Sequence, residues 1–266
     1  MRFFSILAFL CASISASFLE EPIMMELDEP ALSPADPQES MELLRHLNFS
    51  NLVYGGRQAR PGQFPQQAFL LLGKNSNCGA SLISKTHAVT AAHCIDELKN
   101  GSKAKIMVGG TDFSPAVTLN RNTKLAKIAT DDSKLLRIRK SYVTGYGTVT
   151  ETPLPRISSV LLWSEITLFS PSECRQKWRN RAVINDKQIC AGANKKGTGK
   201  GDSGGPIQVL FNKKLWQVGL TSFGPANPYD SEHNQDRFPT VFTRVSSYCD
   251  FLRNSTNGAF SCTNTG

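Results

Sequence analysis

Two short stretches of the chain hold residue types that could carry out nucleophilic chemistry. Ser203 lies in "GKGDSGGPI", between an aspartate and a glycine, and His93 lies in "AAHC" at the end of a run of small residues. A serine hydroxyl becomes a nucleophile when a histidine removes its proton, and the resulting oxyanion needs backbone N–H donors. Glycines suit such a loop because amides approach a charge most closely where no Cβ intervenes. Taken singly, each residue is more often structural: a turn serine or a surface histidine.

Taken together, "AAHC" and "GDSGGP" resemble, in the same chain order, the two signatures of the trypsin/chymotrypsin-like serine peptidases. The resemblance implies that Ser203 attacks the scissile carbonyl and that His93 accepts its proton and later passes it to the leaving amine. It also implies an oxyanion hole made by the backbone N–H groups of Gly201 and Ser203.

The resemblance further implies a carboxylate that orients the histidine. The family carries it in a stretch like N-D-I-A-L-L, and the best match here is "DDSKLLRI", which assigns the role to Asp132. Ser133 and Lys134 replace two residues that are apolar in the family. A surface aspartate is the alternative interpretation of Asp132.

Substrate choice and activation are also predicted from the resemblance. Trypsin-like members place an aspartate six residues before the serine, where this chain has Gly197. Gly224 and Thr240 match the two positions of the pocket wall, so we expect a shallow, uncharged pocket that takes small or medium apolar side chains. Activation would pair a new amine at Val53 with Asp202, although the preceding residue is leucine rather than arginine or lysine.

The chain divides into three parts. Residues 1–17 have an arginine, a short apolar run and small residues, which predicts a secretory signal peptide. Residues 18–52 carry eight acidic residues and one arginine, without strand alternation, and read as an acidic pro-segment or flexible extension. Residues 53–266 form the predicted peptidase domain. The whole chain has a net charge of +8, but its cations are scattered, which argues against nucleic-acid binding.

Removing the signal peptide leaves six of the seven cysteines, an even set in an oxidising compartment. No C-x-x-C pair or histidine cluster supports a metal site, and we expect no metal and no organic cofactor for the chemistry. N-x-S/T sequences permit glycosylation at Asn48, Asn100 and Asn254. The resemblance implies the disulfides Cys78–Cys94 and Cys174–Cys190, which leave Cys249 and Cys262 to pair.

Short apolar runs separated by glycine, asparagine and proline, such as "WQVGLTSFG" and "TVFTRV", predict an all-β body. A C-terminal helix follows in "RVSSYCDFLRNS", where Val245, Tyr248 and Leu252 share one face. The resemblance implies two antiparallel six-stranded β-barrels with the site between them. Only "RKS" separates "LLRI" from "YVTGYG", so the linker between the barrels is predicted to be truncated.

The leading hypothesis is a secreted, monomeric serine endopeptidase that acts on proteins or peptides, with protein inhibitors as further partners and no membrane or nucleic-acid partner. The first alternative is a catalytically impaired homologue that binds a protein. The second is a charge-driven nucleic-acid or heparin binder, whose binding would be salt-sensitive and independent of Ser203.

Overall fold

The computed structural model describes part of the chain. The predicted signal peptide, most of the acidic leader and the sequons at Asn48 and Asn100 lie outside the described residues. Within the described part, no helix is long and apolar enough to cross a membrane. The described residues are 22–26, 53–73, 76–96, 104–111, 122–150 and 156–266.

Strands dominate the described part, as the alternating apolar runs predict. The strands are β1 (Pro22–Glu26), β2 (Arg57–Gln58), β3 (Gln67–Leu72), β4 (Ser76–Leu82), β5 (His87–Ala91), β6 (Ala104–Val108), β7 (Lys140–Gly145), β8 (Thr148–Thr150), β9 (Arg156–Ile157), β10 (Leu162–Phe169), β11 (Gln188–Gly192), β12 (Pro206–Phe211), β13 (Lys214–Phe223) and β14 (Thr240–Arg244). The helices are α1 (Ala92–Asp96), α2 (Pro171–Trp178), α3 (Pro228–His233) and α4 (Cys249–Ser255), with 3₁₀ turns at Leu135–Arg137 and Val245–Tyr248.

The first sheet has the strand order β1-β5-β4-β3-β6, and its described pairs are antiparallel. Its strand β1 belongs to the acidic leader, a segment in which the sequence shows no strand alternation. β1 pairs with β5 along its whole length, from Pro22 opposite Ala91 to Glu26 opposite His87. The leader therefore contributes an element to the fold.

The second sheet closes into a six-stranded barrel. Its order is β11-β14-β13-β12-β7-β10, and β10 pairs back onto β11, while the short β2 adds to the outer edge of β10. Inward-facing apolar residues fill it, among them Val143, Val209, Val218 and Phe242, each fully buried. The described first sheet has five strands, whereas the second matches the predicted six-stranded barrel.

The stretch that sequence reasoning assigned to the catalytic carboxylate runs between the two sheets. Residues 122–139 cross from one sheet to the other with only a single 3₁₀ turn. The Ala126 N–H donates to Leu82 of β4 at 2.7 Å, and the Gln217 N–H of β13 donates to Lys127 at 2.8 Å. Ile128, fully buried, packs in the core beneath the C-terminal helix. The connection is therefore long enough to dock the two sheets.

The C-terminal helix α4 lies where the sequence predicts it. Its Leu252 and the preceding Val245 are fully buried against Ile83 and Ile128. The disulfide Cys249–Cys262 joins the helix to the chain end. The helix thus fixes the crossing segment onto both sheets.

Candidate active site

His93 is held at the junction of a strand and a short helix. β5 ends at Ala91, and α1 begins with Ala92 and includes His93. The next residue, Cys94, is disulfide-bonded to Cys78 of β4, as the resemblance implies. The backbone of His93 is therefore anchored on both sides, by the strand before it and by the covalent cross-link after it.

Ser203 lies on the loop before β12, and this loop is fastened to the first sheet. The Gly79 N–H of β4 donates to the Ser203 carbonyl at 2.7 Å, and the Thr90 hydroxyl donates to the Gly79 carbonyl at 2.7 Å. A Cβ on Gly79 would lie 2.6 Å from the Cα of Gly205, so glycine is required for this approach. The Gly204 N–H donates to Thr221 of β13, which attaches the loop to the barrel.

The two signature stretches meet at this point. A Cβ on Gly204 would lie 2.8 Å from the backbone nitrogen of Ala91, so the serine loop touches the end of β5 two residues before His93. The Sγ atom of Cys94 is 3.7 Å from the carbonyl oxygen of Ser203. The fold thus brings the backbones that carry the predicted base and nucleophile into contact, and both residues remain partly open to solvent.

The predicted oxyanion hole depends on the conformation of Gly201. Its φ is 89°, in the region that side chains with a Cβ rarely adopt. The side-chain amide of Asn77 donates to the Gly201 carbonyl at 3.3 Å, which holds this peptide from the first sheet. Sequence reasoning missed Asn77, because it lies about 120 residues away and belongs to no signature.

Asp202, the predicted activation carboxylate, is fully buried. It accepts N–H bonds from Gly147 at 2.8 Å and from Gly199 at 2.9 Å. Burial raises the pKa of Asp202 to about 7, and the two N–H donors oppose that rise. A Cβ on Gly147 would lie 2.6 Å from the carboxyl carbon, which explains why "YVTGYG" has glycine there.

Val53, the predicted partner of Asp202, is 1% exposed and packs in the core of the second barrel. Its φ is 57°, a strained conformation for a β-branched residue. The neighbouring Tyr54 accepts the Gly197 N–H through its carbonyl at 3.3 Å. The predicted new N-terminus is thus already inserted beside the loop that carries Gly197 and Asp202.

Asp132, the predicted orienting carboxylate, is hydrogen-bonded to the chain that follows β14. Its buried carboxylate accepts bonds from the Arg244 guanidinium, with Nε 3.0 Å from Oδ2 and Nη2 on Oδ1. The Ser246 hydroxyl donates to Oδ2 at 2.7 Å. These contacts satisfy both oxygens and attach the crossing segment to the chain after β14, and Asp132 raises the pKa of Arg244. These bonds give Asp132 a structural role, and its assignment as the orienting carboxylate stays a prediction.

A cleft of about 140 Å³ opens beside Ser203, with Gly224 and Thr240 in its lining. At its base the Thr240 hydroxyl donates to the Gln235 side-chain oxygen at 2.9 Å and lies 2.9 Å from the Thr198 hydroxyl. Gln235 is fully buried and also donates to the Thr198 carbonyl at 2.7 Å. Its amide fills the space in front of Gly197, where a Cβ would collide with it. Sequence reasoning missed Gln235, whose neutral amide holds Thr198 and Thr240, two residues of the cleft lining.

The other predicted sites are the disulfides and the glycosylation sequon at Asn254. Cys174 is bonded to Cys190, so the structure contains all three disulfides that the resemblance implies. Asn254 is exposed on α4. Among the described residues, no group of three or more histidine, cysteine, aspartate or glutamate side chains could hold a metal ion.

Comparisons with known proteins agree with this arrangement. The model of the trypsin family, described as Trypsin, matches residues 53–116 and 111–252, so the match divides between β6 and the crossing segment. The chain is 28% identical to human serine protease 41, over 80% of this chain and 79% of the relative. It is 29% identical to chymotrypsin-like elastase family member 1 of the dog (Canis lupus familiaris), over 76% of this chain and 91% of the relative. It is 28% identical to brachyurin of Leptuca pugilator, over 77% of this chain and 98% of the relative. With its histidine and serine signatures carried on two packed β-sheets, the chain belongs to the trypsin family of serine peptidases.

Proposed function

We propose that this protein is a secreted serine endopeptidase that cleaves peptide bonds through an acyl-enzyme on Ser203, with His93 as general base and acid. The observation that carries the proposal is the contact between the serine loop and the end of β5, next to His93. Nucleophilic catalysis by serine requires a base within hydrogen-bond reach, and this contact brings the two backbones together. The Gly201 and Ser203 N–H groups serve as oxyanion donors.

The primary pocket prefers small or medium apolar side chains. Its lining includes Thr198 and Thr240, whose hydroxyls lie 2.9 Å apart and which both hydrogen-bond to the neutral amide of Gln235. A lysine or arginine side chain would find no opposing charge at that depth, and burying an unpaired cation is strongly unfavourable. The chymotrypsin-like elastase among the relatives agrees with this choice of substrate class.

The protein is a zymogen that is activated by a cut before Val53. In the uncut chain Val53 is held at a φ of 57°, and a cut there removes this constraint because an N-terminal residue has no φ. The new ammonium pairs with the buried Asp202 carboxylate and stabilises its charged form. Exposed Asn254 is a glycosylation site of the secreted product.

The test uses a fluorophosphonate probe, which reacts with activated serines, on protein cut before Val53. We expect one label per molecule, at Ser203, together with hydrolysis of peptides that carry alanine, valine or leucine before the cleaved bond. Ser203→Ala and His93→Ala should each abolish labelling, whereas Ser172→Ala, an exposed serine on α2, should not change it. A cut, folded and disulfide-bonded sample that takes no label would contradict the proposal and favour a protein-binding homologue.

A further inference from the structure

The buried part of the cleft beside Ser203 carries hydroxyl groups. Three threonines line the cleft, Thr198, Thr221 and Thr240, and each is at most 5% exposed. A hydroxyl group donates one hydrogen bond and accepts up to two. What this wall offers to a substrate side chain therefore depends on where the hydroxyl hydrogens point.

We propose that the wall is an acceptor surface: the hydroxyl oxygens of Thr198 and Thr240 accept hydrogen bonds from the substrate, and Gln235 is the positioning residue that fixes their direction. At equal size, the pocket then prefers a neutral side chain that donates a hydrogen bond, such as threonine, over an apolar one, such as valine. This inference rests on the proposed function and narrows its substrate class.

The side-chain amide of Gln235, which is fully buried, has only one orientation that fits its partners. Its nitrogen lies 2.7 Å from the carbonyl oxygen of Thr198 and 2.7 Å from the carbonyl oxygen of Ser231. Carbonyl oxygens only accept, so the amide nitrogen must face them and donate both of its hydrogens. The amide oxygen of Gln235 therefore points the other way, where it can only accept.

This amide oxygen sets the direction of two threonine hydroxyls. The Thr240 hydroxyl lies 2.9 Å from it and must be the donor, because an amide oxygen carries no hydrogen. The hydroxyls of Thr198 and Thr240 are also 2.9 Å apart. Since the single hydrogen of Thr240 already points to Gln235, Thr198 is the donor in this second pair. Both hydrogens are thus directed into the protein, and both oxygens keep capacity to accept.

The third threonine of the lining follows the same rule. The Thr221 hydroxyl donates to the Gly205 carbonyl at 3.1 Å, so its hydrogen is also directed into the protein. On the opposite wall, a Cβ on Gly224 would lie 3.5 Å from the Thr240 hydroxyl oxygen. That oxygen therefore faces the space which the missing side chain of Gly224 leaves open, and a bound side chain in this space lies within its reach.

The direction of these hydrogens selects among side chains of one size. Threonine and valine have nearly the same shape, but only threonine brings an O–H that can donate to an acceptor oxygen of the wall. A carboxylate would meet oxygens whose hydrogens point away from it. A lysine would bring a charge that no group of the cleft lining opposes, and burying an unpaired charge is strongly unfavourable. A short, neutral side chain with one donor is the group that fits.

The kinetic test uses protein cut before Val53 and two peptides that differ only in threonine or valine before the cleaved bond. We expect kcat/KM to favour threonine by about three- to tenfold, the contribution of one neutral hydrogen bond. Thr198→Val keeps the shape and removes an acceptor, so it should shift this ratio toward valine by about tenfold or more. Thr198→Ser keeps the hydroxyl and should keep the preference for threonine. A ratio that Thr198→Val leaves unchanged would overturn the inference.

Gln235→Met tests the positioning role. It leaves the hydroxyls of Thr198 and Thr240 in place but removes the acceptor that fixes their direction. The preference for threonine should therefore fall to about twofold or less, without reversing. Gln208→Met, at a fully buried glutamine of β12, is the matched control and should leave the ratio unchanged. An equal preference in Gln235→Met and in the unaltered protein would contradict the positioning role.

A binding measurement separates this inference from the proposed function. Product peptides that end in threonine or valine are titrated by calorimetry onto cut Ser203→Ala protein, in which no acylation occurs. We expect the threonine peptide to bind about three- to tenfold more tightly, and we expect Thr198→Val to remove this difference. Equal affinities, or no binding of either peptide, would overturn the inference, and a Ser203 that still reacts with the fluorophosphonate would leave the proposed function standing. An unreactive Ser203, in a protein whose Ser203→Ala form prefers the threonine peptide, would contradict the proposed function alone.

Discussion

The protonation state of the buried Asp202 carboxyl depends on whether a cation lies beside it. Its carboxyl is surrounded by Gly145, Gly147 and Gly199, and two backbone N–H groups are its hydrogen-bond donors among the described contacts. These donors do not replace a full positive charge, so the pKa of Asp202 is about 7 in the folded chain. The group is therefore protonated in acid and costly to ionise near neutral pH until a cation reaches it.

The uncut protein should lose stability as pH rises from about 4 to 7. Because the folded pKa is above the unfolded one, the folded state binds more protons in this window, and the stability that this proton gives disappears by about pH 7. Urea unfolding at a series of pH values measures how the free energy of unfolding changes with pH. Asp202→Asn should flatten the slope, and Asp131→Asn, at an exposed carboxylate, should leave it unchanged. An equally steep slope in Asp202→Asn would contradict this explanation.

Asp132→Asn should weaken folding and leave the chemistry intact. Removing one partner of a largely buried ion pair leaves Arg244 without its anion, and we expect a loss of about 2–4 kcal/mol, since Arg244 keeps some solvent contact. Unfolding by urea and the rate of Ser203 labelling, measured well below the melting temperature, separate the two effects. A labelling rate reduced a thousandfold in folded Asp132→Asn would instead favour Asp132 as the orienting carboxylate.

Thr240 should set the depth of the substrate pocket. Thr240→Gly removes a side chain that lines the cleft, so kcat/KM should shift by roughly tenfold or more toward phenylalanine over alanine before the cleaved bond. Thr240→Ser keeps the hydroxyl and serves as the control. Unchanged relative rates for the two substrates in Thr240→Gly would show that the pocket is closed elsewhere.

At the scale of elements, two disulfides of similar loop length have different positions relative to the site. Cys78–Cys94 spans 16 residues and ends next to His93, whereas Cys249–Cys262 spans 13 residues and lies on the C-terminal helix. Replacing either pair with serine should cost about 3 kcal/mol, because the loops they close are similar.

Only loss of the Cys78–Cys94 pair should lower kcat as well, because α1 is then anchored from one side alone. Denaturation and steady-state kinetics on the two double-serine variants provide the comparison. An equal fall in kcat for the Cys249–Cys262 variant would contradict a specific role for the first disulfide.

Most strands could be predicted, because each is a short apolar run bounded by turn residues. "LLWSEITLF" became β10, in which buried positions alternate with more exposed ones, and "WQVGLTSFG" became β13, which is buried over most of its length. "DDSKLL" was matched to a family stretch because a carboxylate precedes its leucines. In the structure Ser133 and Lys134 are exposed, and the Ser133 N–H donates to the Asp131 carboxylate at 2.9 Å, which makes a turn.

The strand β1 could not be predicted from local pattern. It pairs with residues more than 60 positions away, and a non-local ladder leaves no periodic signal in a short acidic segment. Likewise Gln235 and Asn77 gain their roles only from tertiary contacts, through the Thr240 hydroxyl and the Gly201 carbonyl. The signature residues were found because they lie together in short motifs, whereas Gln235 and Asn77 belong to no such motif.

At the scale of the whole molecule, two sheets must dock so that one carries the base and the other the nucleophile. The crossing segment 122–139 and α4 pack against both sheets. β4 holds the serine loop through the hydrogen bond from the Gly79 N–H to the Ser203 carbonyl. His93 and Ser203 therefore lie where the two sheets meet. The leader strand β1 adds a strand to the sheet that leads into His93.

The most direct test of the central claim is the burst of p-nitrophenol released when the cut protein meets a p-nitrophenyl ester of a small apolar acyl group. A covalent acyl-enzyme predicts a burst of one equivalent per folded molecule, followed by a slower steady rate, and no burst in Ser203→Ala. Slow release without a burst, at equal rates in the unaltered protein and in Ser203→Ala, would contradict the account.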